Sequence, residues 1–161
     1  MICAGLIDEP QILVLNHLLK FLKKEGSVIP TNAEIILELA YDNYSHFGYK
    51  LPYLHFEDER HRSDPVTESR LFAKVDFSKI NRLQLSKEVG LKAIKTGNIN
   101  AIRISTRTEL LKGLVLGECE AYCPVLVIPI EEFEVKAGES KKLSLSYEMG
   151  GGMLTIHHKI S

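Results

Sequence analysis

The chain has no tryptophan and only three cysteines among its 161 residues. Cys3, Cys119 and Cys123 form an odd count without a spaced framework. This excludes a disulfide-stapled secreted scaffold and fits free thiols in a reducing cytosol. No window approaches the ~18 apolar residues of a spanning helix. Met1–Gly5 is followed by acidic residues instead of a basic flank and a long apolar stretch, so no signal peptide is expected. Charge of one sign is not in excess: the net charge is −1, so a charged surface has to come from uneven distribution. Internal repeats and low-complexity tracts are absent. Gly150-Gly151-Gly152 is followed by neither a helix nor Lys-Ser/Thr, which excludes a phosphate loop. A soluble cytoplasmic protein without a membrane partner is expected.

What is present is an average globular composition, 45% apolar and 25% charged. Residues 1–161 read as one globular domain, helical over about 8–48 and sheet-rich over about 70–161. The segment Leu110–Val135 organises the reading. Its two apolar runs, Leu110–Leu116 and Val125–Ile130, read as strands buried on both faces at a sheet centre, a helix over Glu109–Leu116 staying open. After Pro129, Phe133, Val135 and Ala137 alternate with Glu132, Glu134 and Lys136, as in a half-exposed strand.

Asp8-Glu9-Pro10-Gln11 starts a helix whose stripe is Ile12, Leu15, Leu19 and Leu22, widened by Leu18 and Phe21 and ended by Gly26. His17 lies off this stripe. Thr31-Asn32-Ala33-Glu34 offers a second capping box before Ile35, Ile36, Leu39, Ala40, Tyr44 and Phe47, which predicts a second helix. A strand over Glu34–Tyr41 is the competing reading. Tyr49–Val66 is irregular and carries the charge run Glu57–Asp64; His55 and His61 there have no nearby cysteine and make a poor metal pair. Arg70–Phe77 alternates as a strand, Leu83–Lys95 reads as a helix, and Ile99–Ser105 as a strand. Leu85–Leu91 would suit the first half of a helix-turn-helix, but Thr96-Gly97-Asn98 breaks the second helix. Phe133–Ala137 and Lys141–Tyr147 read as a hairpin, and Met153–Ile160 as a last strand.

Charge is segregated along the chain. Arg82–Lys112 holds seven basic residues against two acidic, and Glu118–Glu139 six acidic against one basic. Two segments of opposite sign either pair across a sheet or present a surface to a charged partner, nucleic acid at Arg82–Lys112 being the lesser reading.

Glu134 and Lys136 on one strand project to the same face. With a neighbouring acid, such a pair holds Mg²⁺ through carboxylate oxygens while the lysine stabilises charge in phosphodiester cleavage. Glu134-Val135-Lys136-Ala137-Gly138 resembles the end of the PD-(D/E)xK nuclease motif. The resemblance implies Glu134 as a metal ligand, Lys136 as the catalytic lysine and Glu120 in place of the upstream aspartate, with Mg²⁺ as the cofactor. Glu118-Cys119-Glu120 behind Ser105-Thr106 resembles the Glu-x-Glu and Ser-Thr elements of ADP-ribosyltransferases. Cys119 and Cys123 with His157-His158 offer zinc ligand types without knuckle spacing.

The fold expected is α+β, two N-terminal helices packed on a mostly antiparallel sheet. The leading functional expectation is a non-enzymatic, cofactor-free binding or regulatory protein that acts by protein–protein contact through Tyr44, Phe47, Tyr49 and Tyr53. The alternative is the metal-dependent nuclease, and the remote alternative the ADP-ribosyltransferase-like enzyme.

Overall fold

The computed structural model describes residues 3–46, 48–119 and 123–161, most of them in antiparallel strands. Helix α1 spans Gln11–Leu18 and continues as a 3-10 turn, Leu19–Phe21. The strands are β1 Asn32–Tyr41, β2 Ser45–His46, β3 Tyr49–Lys50, β4 His55–Phe56, β5 Asp64–Pro65, β6 Arg70–Asp76, β7 Gln84–Lys92, β8 Gly97–Leu111, β9 Leu114–Leu116, β10 Leu126–Val135, β11 Ser140–Glu148 and β12 His157–Ile160. The expectation of two helices on a sheet is therefore corrected: among the described residues the protein is mostly β, with one 11-residue helical stretch and 51% strand, in two main antiparallel sheets and the small β2-β3 hairpin.

The larger sheet runs β4-β10-β8-β1-β5, with β6 also on β1 and β9 on β8. Its centre is β8, in which every side chain from Ile99 to Thr106 is buried. The smaller sheet runs β12-β11-β7. Both sheets contribute to one apolar core, where Ile35, Leu37, Ile102 and Ile104 meet Leu91, Leu143, Leu145 and Tyr147. The sheets are joined along one side. There Glu68 N–H donates to Lys92 O, Ile94 N–H donates to Val66 O, and Lys87 Nζ donates to the Leu71 and Phe72 carbonyls.

Two segments with helical spacing are strands. In β1 the second expected helix gives way to the competing strand, because the strand is buried on both faces and its apolar residues fill every phase. In β7, Leu85, Val89 and Ala93 are four apart, a spacing that fits period two as well as a helical turn; Val89, Leu91 and Ala93 point inward while Ser86, Glu88, Gly90 and Lys92 point out. The helix-turn-helix reading falls with it.

Three further expectations change. Leu110–Leu116 is not interior: the chain turns at Lys112-Gly113, and Leu111, Leu114 and Val115 are each at least half exposed. The Val125–Ile130 run is interior, as read: Val125–Ile128 are buried. Phe133–Ala137 and Lys141–Tyr147 do not form a hairpin, since β10 pairs with β8 and β11 with β7 and β12. In β6 a bulge opposite Ile35/Ile36 turns Phe72 into the core and Leu71 outward.

The turn Ala4–Leu6 is wedged between the sheets. Gly5 N–H donates to Thr106 Oγ1 (2.8 Å), and Tyr147 Oη donates to Gly5 O (2.8 Å). Gly5 has a φ of 61°, and a Cβ there would stand 3.0 Å from Tyr147 Oη, so both backbone and space call for glycine.

Candidate functional site

Where β1 ends, Asp42 enters a buried polar cluster. Asn100 on β8 clamps its backbone: Asp42 N–H donates to Asn100 Oδ1 (2.7 Å) and Asn100 Nδ2 donates to Asp42 O (2.8 Å). The Asp42 side chain turns back as an Asx turn, Oδ1 accepting the Tyr44 N–H at 2.7 Å. Oδ1 also accepts from His61 Nε2 (2.7 Å), and Oδ2 lies 3.4 Å from His55 Nε2. His55 is placed by β4, opposite Val127 of β10. His61 is placed by a turn in which Asp58 Oδ1 accepts the Arg60 and His61 N–H groups. His55 Nδ1 lies 3.1 Å from Tyr53 O. A carbonyl only accepts, so Nδ1 carries the proton and Nε2 faces the carboxylate.

Electrostatics follow this geometry. Burial pushes the Asp42 carboxyl up, but His55, the Tyr44 N–H and His61 together outweigh it and hold it below the usual carboxylate range. Burial pulls His55 down, and its bonds to Asp42 and Tyr53 more than reverse that. Burial, with Asp42 adding, drives the Tyr44 phenol up.

A second cluster adjoins the first through Glu57, two residues beyond His55. Arg103 on β8 meets three carboxylates: Glu57 through Nε (2.9 Å) and Nη2 (3.1 Å), Glu118 through Nη2 (2.8 Å), and Glu38 through Nη1. Ser63 donates to Glu57 from its hydroxyl and its N–H. Burial alone would lower the guanidinium pKa, but Glu57 and Glu118 raise it, so Arg103 stays charged. Burial raises Glu118, and Arg103 outweighs this to leave it lowered. A cleft of about 120 Å³ opens over this network, lined by Arg62, Glu118 and Cys119 among others. The oppositely charged chain segments do meet here, Arg103 against Glu118.

The described residues among those expected from sequence lie in several places. Glu134 and Lys136 are exposed, Glu134 on β10 opposite Asn98 of β8 and Lys136 in the turn after β10. Glu118 sits with Arg103, opposite Val127, five to seven strand residues away from Glu134, or roughly 15–25 Å. Glu118 and Glu134 therefore do not converge. Glu120 and Phe47 lie outside the described residues. Tyr44 is buried, its hydroxyl 3.3 Å from Asn100 O, so it is no surface anchor, whereas Tyr49 and Tyr53 are exposed. Cys119 and Cys123 exchange backbone hydrogen bonds. Burial, with Cys119 and Cys3 nearby, pushes the Cys123 thiol up. His157 and His158 belong to β12, at the edge of the other sheet. His17 is exposed, as expected.

His55 and His61, a poor metal pair in sequence for want of a nearby cysteine, do meet in the fold; the third member, Asp42, precedes them by a loop of no fixed spacing. A signal for Arg103 was present: a cation between Ile102 and Ile104, in a strand otherwise apolar on both sides, needs buried counter-charges.

Fold and site together define a two-sheet antiparallel protein with a buried His-Asp-His cluster beside an arginine held by three carboxylates. No family model matches the sequence. The chain is 32% identical over 155 residues to an uncharacterised protein of Methanocaldococcus jannaschii, covering 95% of this chain and 56% of that protein. It is 32% identical over 160 residues to an uncharacterised protein of Methanothermobacter thermautotrophicus, covering 99% and 60%. The chain thus spans less than two thirds of the length of these relatives. Among solved structures it is similar to a chain of the Trypanosoma brucei PRMT1 enzyme–prozyme heterotetrameric complex with AdoHcy. The TM-score is 0.69 over 96% of this chain and 64% of that one, at 13% identity, a likeness of fold alone. Among the described residues no helix is long and apolar enough to cross a membrane.

Proposed function

We propose that this chain is a protein-binding module whose docking surface is the outer side of α1 and the turn after it. One observation carries the reading: the helix is apolar nearly all round, yet only Ile12 is buried, while Leu13 (56%), Val14 (52%), Leu18 (55%) and Phe21 (72%) face solvent. A helix of that composition is normally enclosed, and exposed apolar side chains grouped on one element point to an interaction surface. The helix is tied to the loop before β7, since Asn16 Nδ2 donates to Asn81 O (2.7 Å) and Asn81 N–H donates to Asn16 Oδ1 (2.9 Å). Lys20, Lys23 and Lys24 are exposed at its end, so the partner we propose is a folded protein surface, apolar at its centre and acidic at its rim. The longer relatives have room for such a body in the part of their chains outside the match. The protein of similar fold works inside a heterotetrameric complex, which agrees with an assembling role.

The test compares one change in two settings. Leu18→Asp with Phe21→Asp in this chain alters only exposed positions and is expected to cost under about 1 kcal/mol. The same pair at the matching positions of the whole Methanothermobacter protein is expected to cost roughly 3 kcal/mol or more, because two charges enter a covered apolar surface. Equal costs in both proteins would overturn the proposal. So would flotation of this chain with anionic vesicles that is lost in the double variant, since that would make the face a membrane surface.

A further inference from the structure

We propose that Asp42, His55 and His61 bind a divalent first-row transition-metal ion, with a carboxylate oxygen and two imidazole nitrogens as ligands. The three ligand atoms lie within 4.8 Å of one another. His55 is set up as a ligand by its own second bond: with the Nδ1 proton committed to Tyr53 O, neutral His55 aims the Nε2 lone pair at Asp42 Oδ2, 3.4 Å away. A metal ion can take the place between these two atoms that the Nε2 proton of the charged ring otherwise holds. Ligands held ~2.0–2.1 Å from a tetrahedral ion stand about 3.3 Å apart, close to this spacing. A carbonyl on the far nitrogen of a ligating histidine is the usual supporting contact. Asp42 has its own supports in the Tyr44 N–H and the Asn100 clamp. His61 becomes a ligand by moving its proton from Nε2 to Nδ1. Two imidazoles select zinc, cobalt, nickel, copper or iron over magnesium and calcium, which take oxygen. His61, its side chain 14% exposed against 1% for Asp42, gives the ion a way in and leaves coordination positions for water.

The experiment titrates the purified chain with Zn²⁺ by calorimetry and with Co²⁺ by visible absorption, alongside His61→Ala, Asp42→Asn and a Cys3→Ser/Cys119→Ser/Cys123→Ser variant. We expect one ion per chain, a higher melting temperature with Zn²⁺, and a Co²⁺ spectrum without thiolate charge-transfer bands. His61→Ala and Asp42→Asn should each weaken binding at least about tenfold, and the cysteine-free variant should bind like the wild type. Circular dichroism confirms that each variant is folded. His61→Ala removes the least buried ligand and keeps the comparison informative if Asp42→Asn unfolds. The proposal is overturned if neither metal binds stoichiometrically, if folded His61→Ala binds as tightly as the wild type, or if binding disappears with the cysteines.

Discussion

Arg103→Met is expected to lower the melting temperature by roughly 10 °C. Arg103 and Glu57 are both almost fully buried, and removing one partner of a buried pair costs about 3–5 kcal/mol, because the other charge stays behind without compensation. In a protein of this size each kcal/mol is about 2–4 °C. Glu118, with 40% of its side chain exposed, adds little after solvent screening. The sign with pH is fixed by Glu118. Its folded pKa is lowered, so its contribution is present above its ordinary carboxylate value and is lost as pH falls through the folded one. The gap between wild type and Arg103→Met should therefore narrow in acid. Adding Glu57→Gln to Arg103→Met should restore part of the loss. Thermal melts at neutral and acidic pH, followed by circular dichroism because the chain lacks tryptophan, read all three. A cost below about 1 kcal/mol would mean that the network does not hold the loop carrying His55 and His61.

Tyr147→Ala is expected to cost about 3–5 kcal/mol, the usual price of deleting a large buried aromatic ring. The ring is fully buried and stacks on Phe72, their centroids 5.9 Å apart. Tyr147→Phe separates packing from hydrogen bonding: it keeps the ring but leaves the buried Gly5 carbonyl without its hydroxyl donor, for about 1–3 kcal/mol. Urea unfolding of both variants measures the difference. If Tyr147→Phe is neutral, the initial turn is not anchored through this bond.

The legible parts of the fold were those in which flanking turn residues and run length bounded a segment. Helix α1, β6, the buried Val125–Ile130 run and β12 could all be read from pattern. The segments that misled share a cause: β1 is apolar on both faces and β7 repeats at four-residue steps, and both arrangements satisfy helix and strand together. Leu110–Leu116 was apolar enough for a core but forms the exposed β8–β9 hairpin. The site was less legible because it is built by register. Ala40 lies opposite Ala101, which sets Asp42 beside Asn100, and Val127 lies opposite His55; neither pairing is visible in one dimension. Within the charge run Glu57–Asp64 nothing in the sequence marks which residues turn inward, yet Glu57 meets Arg103 and His61 meets Asp42.

Everything proposed about partners rests on the uncovered side of α1. Hydroxyl-radical footprinting reads that side chain by chain. In this protein alone Leu18, Phe21 and Leu22 should oxidise at the rate of exposed residues. The matching side chains of the whole Methanothermobacter relative should be protected several-fold. Equal, rapid labelling in both proteins would contradict the account.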